Sequence, residues 1–308
     1  MEIKKDEKSI CCVQDMIEIA LDLEENVSRA IYFRGQEYED DEDKKLGLLP
    51  TIGRMQKFVD QQLTFNTESE RNLLHRFCRW AYLESNRALG EWEALFLARH
   101  HGLPVRLLDW TANPLVALYF AAKCEKLHFV KNGRPKPRDA VVWAIIKKLS
   151  RAHDIDLLRE ESKSKIEIEK DELYYNSKDK LPISCLNKLD NLSFEYLQKP
   201  LRLKGVRLLS PFYNSPRMIV QNCFFTIQDN PWKPLEEYDE VKQEKYFDIE
   251  RILQWTVPAK HRWEIITQLE RVGIGNRTLF PDLDGLAKGL WQLEMVRYKT
   301  ISIRRSPK

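Results

Sequence analysis

The chain is poor in the residues that punctuate or crosslink unusual architectures. Of 308 residues only 11 are glycine and 14 are proline, which excludes collagen-like and low-complexity linker designs. Cysteine is sparse, with six residues at positions 11, 12, 78, 124, 185 and 223 and no CxxC pair. A zinc site draws its ligands from closely spaced pairs, and a stapled secreted fold needs a short, cysteine-dense chain. Both are excluded, and the thiols read as reduced core residues. No apolar run approaches the ~18 residues of a membrane span. No apolar segment follows the mixed-charge start Met1 to Lys8, so a cytoplasmic protein without a membrane partner is expected. Catalytic signatures are missing as well: there is no GxxxxGK[ST], HExxH, GxSxG or strand-linked GxGxxG. His100 and His101 are adjacent. Helical neighbours point about 100° apart, so the two do not readily share one metal, and no metal is expected.

What is present describes a soluble α+β chain. Hydrophobic residues make up 43% and charged residues 31%, with eight Trp to fill a core. The length suits one large domain or two small ones, at roughly 100–200 residues each. The net charge of +3 hides an asymmetry: the first 45 residues are strongly acidic and the remainder is basic. A basic body can attract phosphates, including a nucleic-acid target, although dispersed charge also reads as a solvated surface.

Periodicity places the elements. Cys12 to Leu23 reads as a helix with an apolar stripe of Val13, Met16, Ile17, Ala20 and Leu21. Ala30 to Phe33 reads as a strand ending in Arg34-Gly35, followed by the acidic stretch 37–43, expected to be a loop. Thr67-Glu68-Ser69-Glu70 has the form of a capping box, and the helix behind it carries Leu73, Leu74, Phe77, Trp80 and Ala81. A helix from about Glu91 to His101 stops at Gly102 and Pro104. Val105 to Leu108 reads as a strand and Asp109 to Ala112 as a turn. Asn113 then caps a helix with Pro114 at its first position. That helix is apolar on every side from Leu115 to Ala122, which marks it as fully buried. Ala140 to Ile146 and Met218 to Gln228 read as further strands, and 258–272 as a helix closed by Gly273. A last helix opens at Pro281 to Ala287. The expectation is a small mixed sheet surrounded by helices. An N-terminal helix over 1–30 packs on a domain over 31–290, with a charged helical insertion at about 147–200 and a basic tail over 291–308.

Three segments gather chemistry-bearing residues at element boundaries. In Phe33-Arg34-Gly35-Gln36, the Arg34 guanidinium can grip a phosphate or carboxylate bidentately, or pair with a buried carboxylate such as Asp109. Between His101 and Pro114, the residues His101, Arg106, Asp109, Trp110 and Thr111 lie in or beside turns braced by rigid elements, where binding groups sit. Asp109 and Thr111 can equally satisfy local amides while Trp110 packs. In Arg217 to Thr226, Gln221 falls amid apolar neighbours, where its amide serves either as a clamp on a neighbouring loop or as a ligand contact.

Together these residues resemble the FRG domain family, named for its Phe-Arg-Gly motif, over roughly residues 31–290. Phe33-Arg34-Gly35-Gln36 is similar to the name motif, and Leu49-Pro50 and Arg54 to the Leu-Pro and Arg that follow it. His100 to Pro104 and Asp109 to Ala121 are similar to the family's long central signature. Arg217, Gln221 and Phe224 resemble a later Arg-x-x-x-Gln-x-x-Phe element, and Phe280 to Leu286 a closing helix. Two positions depart from the pattern: Arg99 replaces a Gln before the His pair, and Asn222-Cys223 replace a glycine-containing step. The resemblance implies a bacterial protein of mobile or defence-associated type. A weaker likeness to the ADP-ribosyltransferase group implies an order of Arg34, Thr111 and Gln221 around NAD. In that arrangement Arg34 holds the pyrophosphate or ribose, Thr111 steadies it, and Trp110 or Tyr32 stacks on nicotinamide. Arg106, His101 and Arg217 add cofactor contacts. Gln221 cannot accept a proton at neutral pH, so Asp109 supplies the carboxylate or the domain binds a nucleotide without turnover. The expected function is thus an ADP-ribosyltransferase or NAD-cleaving effector of toxin or phage-defence type. The alternative is a non-catalytic module for a nucleotide, nucleic acid or protein partner.

Overall fold

The computed structural model describes residues 3–5, 8–26, 30–37, 47–55, 66–85, 89–123, 138–147, 205–211, 215–238 and 249–305. The acidic stretch beyond Glu37 and the charged segment expected at 147–200 lie outside these, apart from Lys147.

The architecture is α+β around one seven-stranded sheet. The strands are β1 (Ile3–Lys5), β2 (Ile31–Glu37), β3 (Leu107–Thr111), β4 (Ala140–Lys147), β5 (Val206–Leu209), β6 (Cys223–Gln228) and β7 (Ile249–Val257), in the order β1-β7-β4-β2-β3-β6-β5. Every neighbouring pair is antiparallel except β1 with β7, so the sheet is mixed, as expected. It is larger than the four segments legible in the sequence. In the middle, β2 and β4 pair along seven residues, whereas β2 and β3 share the single pair Phe33 with Thr111. Beyond that pair the two strands part, and the opening faces the candidate site.

The helices are α1 (Val13–Asn26), α2 (Thr51–Met55), α3 (Thr67–Ser85), α4 (Glu91–His100), α5 (Pro114–Ala122), α6 (Pro216–Val220), α7 (Ala259–Arg271), α8 (Asn276–Leu279) and α9 (Leu283–Arg305). α5 forms as its sequence dictates. The Asn113 side chain accepts from the Leu115 and Val116 amides, and Pro114 takes the first position. Apart from its ends and Phe120 the helix is buried, packed between α1, α7 and the sheet with Phe33, Val142, Trp255 and Ile265. Gly35 lies so close to it that a Cβ would stand 1.8 Å from the Ala117 carbonyl oxygen. The glycine of the Phe-Arg-Gly step is therefore what lets β2 seat against the α5 backbone. Among the described residues no helix is long and apolar enough to cross a membrane.

Local structure departs from the sequence reading at several points. The segment 217–228 is not one strand. Ser215 caps α6 with Pro216 at its first position, Asn222 turns the chain at φ +47°, and β6 starts only at Cys223. The extended run spans Leu107–Thr111, so Asp109, Trp110 and Thr111 are strand residues and not a turn. Asn66, rather than Thr67, caps α3, accepting from the Ser69 amide at 3.0 Å. Glu70 is thereby released from a capping box and lies buried against Arg106. The α1 stripe runs through Val13, Met16 and Ile19, leaving Ile17 and Leu21 exposed, and Trp80 on α3 is exposed as well.

Candidate functional site

A cavity of about 640 Å³ opens where β2 and β3 diverge. Its walls come from β2 (Phe33, Arg34, Gly35, Glu37), α4 (Arg99, His100), β3 (Asp109, Trp110, Thr111), the inner face of α5 and α6 with its flanking residues. On α5 the lining positions are Val116, Ala117 and Phe120, continued at Lys123 just past its end. That i, i+1, i+4, i+7 spacing is one helical face, so the cavity runs along the length of α5.

Asp109 holds the centre of the wall. Arg99 grips it with two nitrogens: Nε donates to Oδ1 at 2.8 Å, and Nη2 donates to Oδ2. The remaining Arg99 Nη1 donates to the Thr51 hydroxyl at 2.7 Å, which ties α2 to the cluster. Arg34 comes from the other side. Its Nη1 donates to the Asp109 carbonyl oxygen at 2.8 Å and stands 3.5 Å from the Asp109 carboxylate. Its Nε is buried without a hydrogen-bond partner. Two guanidinium groups therefore share one carboxylate.

The electrostatics follow from this crowding. Burial opposes the Asp109 charge, but Arg99 and Arg34 outweigh it and hold the carboxyl below its usual range. Arg34 is drawn down to about 10 by burial, with Arg54 and Arg99 adding repulsion and Asp109 resisting. It stays charged at neutral pH. Cys223, also in the wall, is pushed up to about 12 by burial, with Asp109 adding to the effect, so it is a thiol and not a thiolate nucleophile. Burial, together with His101 and Arg217, lowers His100, whose Nδ1 lies 3.1 Å from the Ser215 hydroxyl.

Of the residues singled out in the sequence, Arg34, Asp109, Trp110, Thr111, Arg217 and Gln221 all border this one cavity. Their roles there differ. Thr111 donates its hydroxyl to the Gln221 carbonyl at 2.6 Å and accepts from the Asn113 amide, which fastens the end of β3 to the end of α6. Gln221 donates from Nε2 to the Leu279 carbonyl at 2.8 Å, so its amide clamps the α8 segment. Trp110 is 2% exposed and donates Nε1 to the Thr226 hydroxyl. It packs as core and presents no ring for stacking.

Three expected contacts do not join the site. Arg106 is 1% exposed and is held by both oxygens of Glu70, itself 1% exposed, and by the Gln228 and Asp229 carbonyls. It is a structural pair away from the cavity. Tyr32 packs on Phe224 at 4.4 Å and does not line the cavity. His101 is exposed beyond the α4 terminus, against Phe77. Conversely, sequence reasoning passes over Arg99, Glu37, Lys123 and Phe280 as site residues. Arg99 has one legible signal, its replacement of the expected Gln before the His pair. Glu37 is engaged by Arg262 at 2.8 Å, and Arg262 also donates to the Ala122, Lys123 and Arg138 carbonyls, fixing the far end of α5.

Four cationic side chains and two carboxylates thus line the cavity, and both carboxylates are already paired. Among the described residues no group of three or more His, Cys, Asp or Glu gathers to hold a metal ion. Residues 29–129 match the family model described as the FRG domain. That span holds Arg34, Arg99, Asp109, Thr111 and α5. No curated protein and no solved structure matches the chain.

Proposed function

We propose that the cavity of this chain, whose residues 29–129 match the FRG domain, binds a phosphate-bearing ligand, with NAD the first candidate. One observation carries the reading. Arg34 and Arg99 share the single carboxylate of Asp109 in the cavity wall, and the Arg34 Nε–H has no partner. A desolvated excess cation that keeps an unpaired donor is the arrangement that a nearby anion balances. The volume falls within the range of about 300–1,000 Å³ usual for small-molecule sites. The apolar side of the cavity, Phe33, Val116, Ala117 and Phe120, suits the uncharged part of a nucleotide.

The chemistry available favours positioning over proton transfer. Asp109 is ionised and doubly held, Glu37 is tied to Arg262, and the Cys223 thiol is protonated. Cleavage of the nicotinamide–ribose bond in NAD relies mainly on orientation and on stabilising developing charge. ADP-ribosyl transfer or NAD cleavage is therefore compatible with the set: Arg34 holds the phosphates, and Thr111 and Gln221 keep the corner rigid. The second reading, a nucleotide-binding module without turnover, is favoured by the engagement of Gln221 with the Leu279 carbonyl. Incubation of the pure protein with NAD separates the two. Release of nicotinamide, or a mass increase of an acceptor, supports transfer. Thermal stabilisation by NAD without either product supports the binding module. Absence of stabilisation by NAD, ADP-ribose and simple nucleotides alike overturns both.

A further inference from the structure

A second cationic cluster lies at the rim of the same cavity. Lys123, one residue beyond α5, places Nζ 4.7 Å from the centre of the Phe280 ring. Arg217, on α6, places its guanidinium carbon 5.2 Å from the same centre. The ring is braced edge-on by Phe120 at 6.1 Å. Lys123, Arg217, Phe280 and Phe120 all line the cavity. Arg217 is also aimed: its Nε and Nη2 both donate to one oxygen of Asp282. The other Asp282 oxygen accepts from the Gly285 amide, so the carboxylate is fixed by the start of α9. Gln221, one turn on from Arg217, clamps the preceding Leu279 carbonyl. The rim thus has a fixed aromatic support and two cations from two different elements.

Resting on the phosphate-binding reading above, we infer that Lys123 and Arg217 form a second anion subsite, so that the ligand carries at least two phosphates and belongs to the nucleoside diphosphate class. Arg34 and Arg99 take one anionic group where β2 and β3 part. Lys123 and Arg217 take another toward the far end of the α5 face. Both pairs line the same cavity as the α5 face, and the carboxylate that also lines it beside Lys123, Glu37, is already held by Arg262. A monophosphate fills one subsite and leaves the other to water, whereas a diphosphate engages both. The charge-assisted hydrogen bonds at the second subsite add affinity that a monophosphate lacks.

The test is calorimetric titration of the whole protein with AMP, ADP and ADP-ribose, on the wild type and on the Lys123→Gln/Arg217→Gln double variant. The wild type is expected to bind ADP and ADP-ribose at least about tenfold more tightly than AMP. The double variant should keep its AMP affinity and lose that preference. Circular dichroism and melting of the variant establish that it is folded. The single variants, each removing one cation, should show intermediate preferences should the double variant fail to fold. Equal affinities for AMP and ADP in the wild type overturn the second subsite while leaving the first reading intact. So does a preference that survives in the variants. Failure of all three nucleotides to bind the wild type overturns both.

Discussion

Replacement of Asp109 by Asn tests the shared carboxylate directly. The substitution keeps the shape of the side chain and removes the one anion that Arg99 and Arg34 divide between them. Stranding a buried charge by deleting its partner costs about 3–5 kcal/mol. Arg34 and Arg99 retain side-chain exposures of 14% and 20%, and Asp109 itself 36%, so water screens part of the loss. The expected destabilisation is about 2–3 kcal/mol by urea denaturation at neutral pH. The acid limb changes with it. The carboxyl of Asp109 lies lower in the folded state than in the unfolded chain. Its stabilising contribution is thus present above the unfolded value of about 4 and is lost as pH falls through the folded one. The Asn variant lacks this part of the acid dependence. The decisive arm is phosphate. With two guanidinium groups left uncompensated, inorganic phosphate takes the place of the missing carboxylate. At about 100 times its dissociation constant it returns about 2.7 kcal/mol. Phosphate should stabilise the variant more than the wild type. A variant as stable as the wild type, or equal phosphate stabilisation of both, refutes the reasoning.

Three further outcomes follow from particular contacts. Glu70→Gln strands Arg106 in the interior and should cost about 3–5 kcal/mol in denaturant unfolding. It should leave nucleotide affinity unchanged wherever the variant is folded, because Arg106 is remote from the cavity; a specific loss of binding in folded protein contradicts this assignment. Gly35→Ala forces β2 away from the α5 backbone, and the expected loss is about 3 kcal/mol or more, the upper part of the overpacking range. Unchanged stability refutes the close seating. Cys223, buried and held as a thiol, should resist alkylation at pH 8 in the native protein and react after denaturation, as followed by peptide mass mapping; rapid native labelling contradicts it.

The sequence was most informative where local rules and tertiary demands agree. Asn113-Pro114 and the all-apolar run behind them encode α5, its cap and its burial without help from distant residues. Gly102 and Gly273 end α4 and the helix before α8 in left-handed conformations, at φ +81° and +82°. That Arg34, Asp109 and Gln221 belong to chemistry-bearing segments was legible, and all three line one cavity. What each does there was not legible. Gln221 reads as a mid-strand residue because Met218 to Gln228 is rich in β-formers; Ser215-Pro216, a capping pair, and the left-handed Asn222 override that propensity. Arg106 and Glu70 are 36 residues apart, and only the tertiary fold, which sets Glu70 of α3 against the residue before β3, makes them a buried pair. The β2–β3 divergence that opens the cavity depends on a one-pair register, which no pattern in either strand specifies.

The central claim is that Arg34 holds an anionic ligand and does not serve only to neutralise Asp109. Its most direct test is titration of ADP-ribose into the wild type and into Arg34→Gln, with melting of both proteins recorded. Saturable binding that weakens as salt rises, lost in a variant that remains folded, is the predicted result. Equal binding by the two folded proteins, or no binding by the wild type, contradicts it.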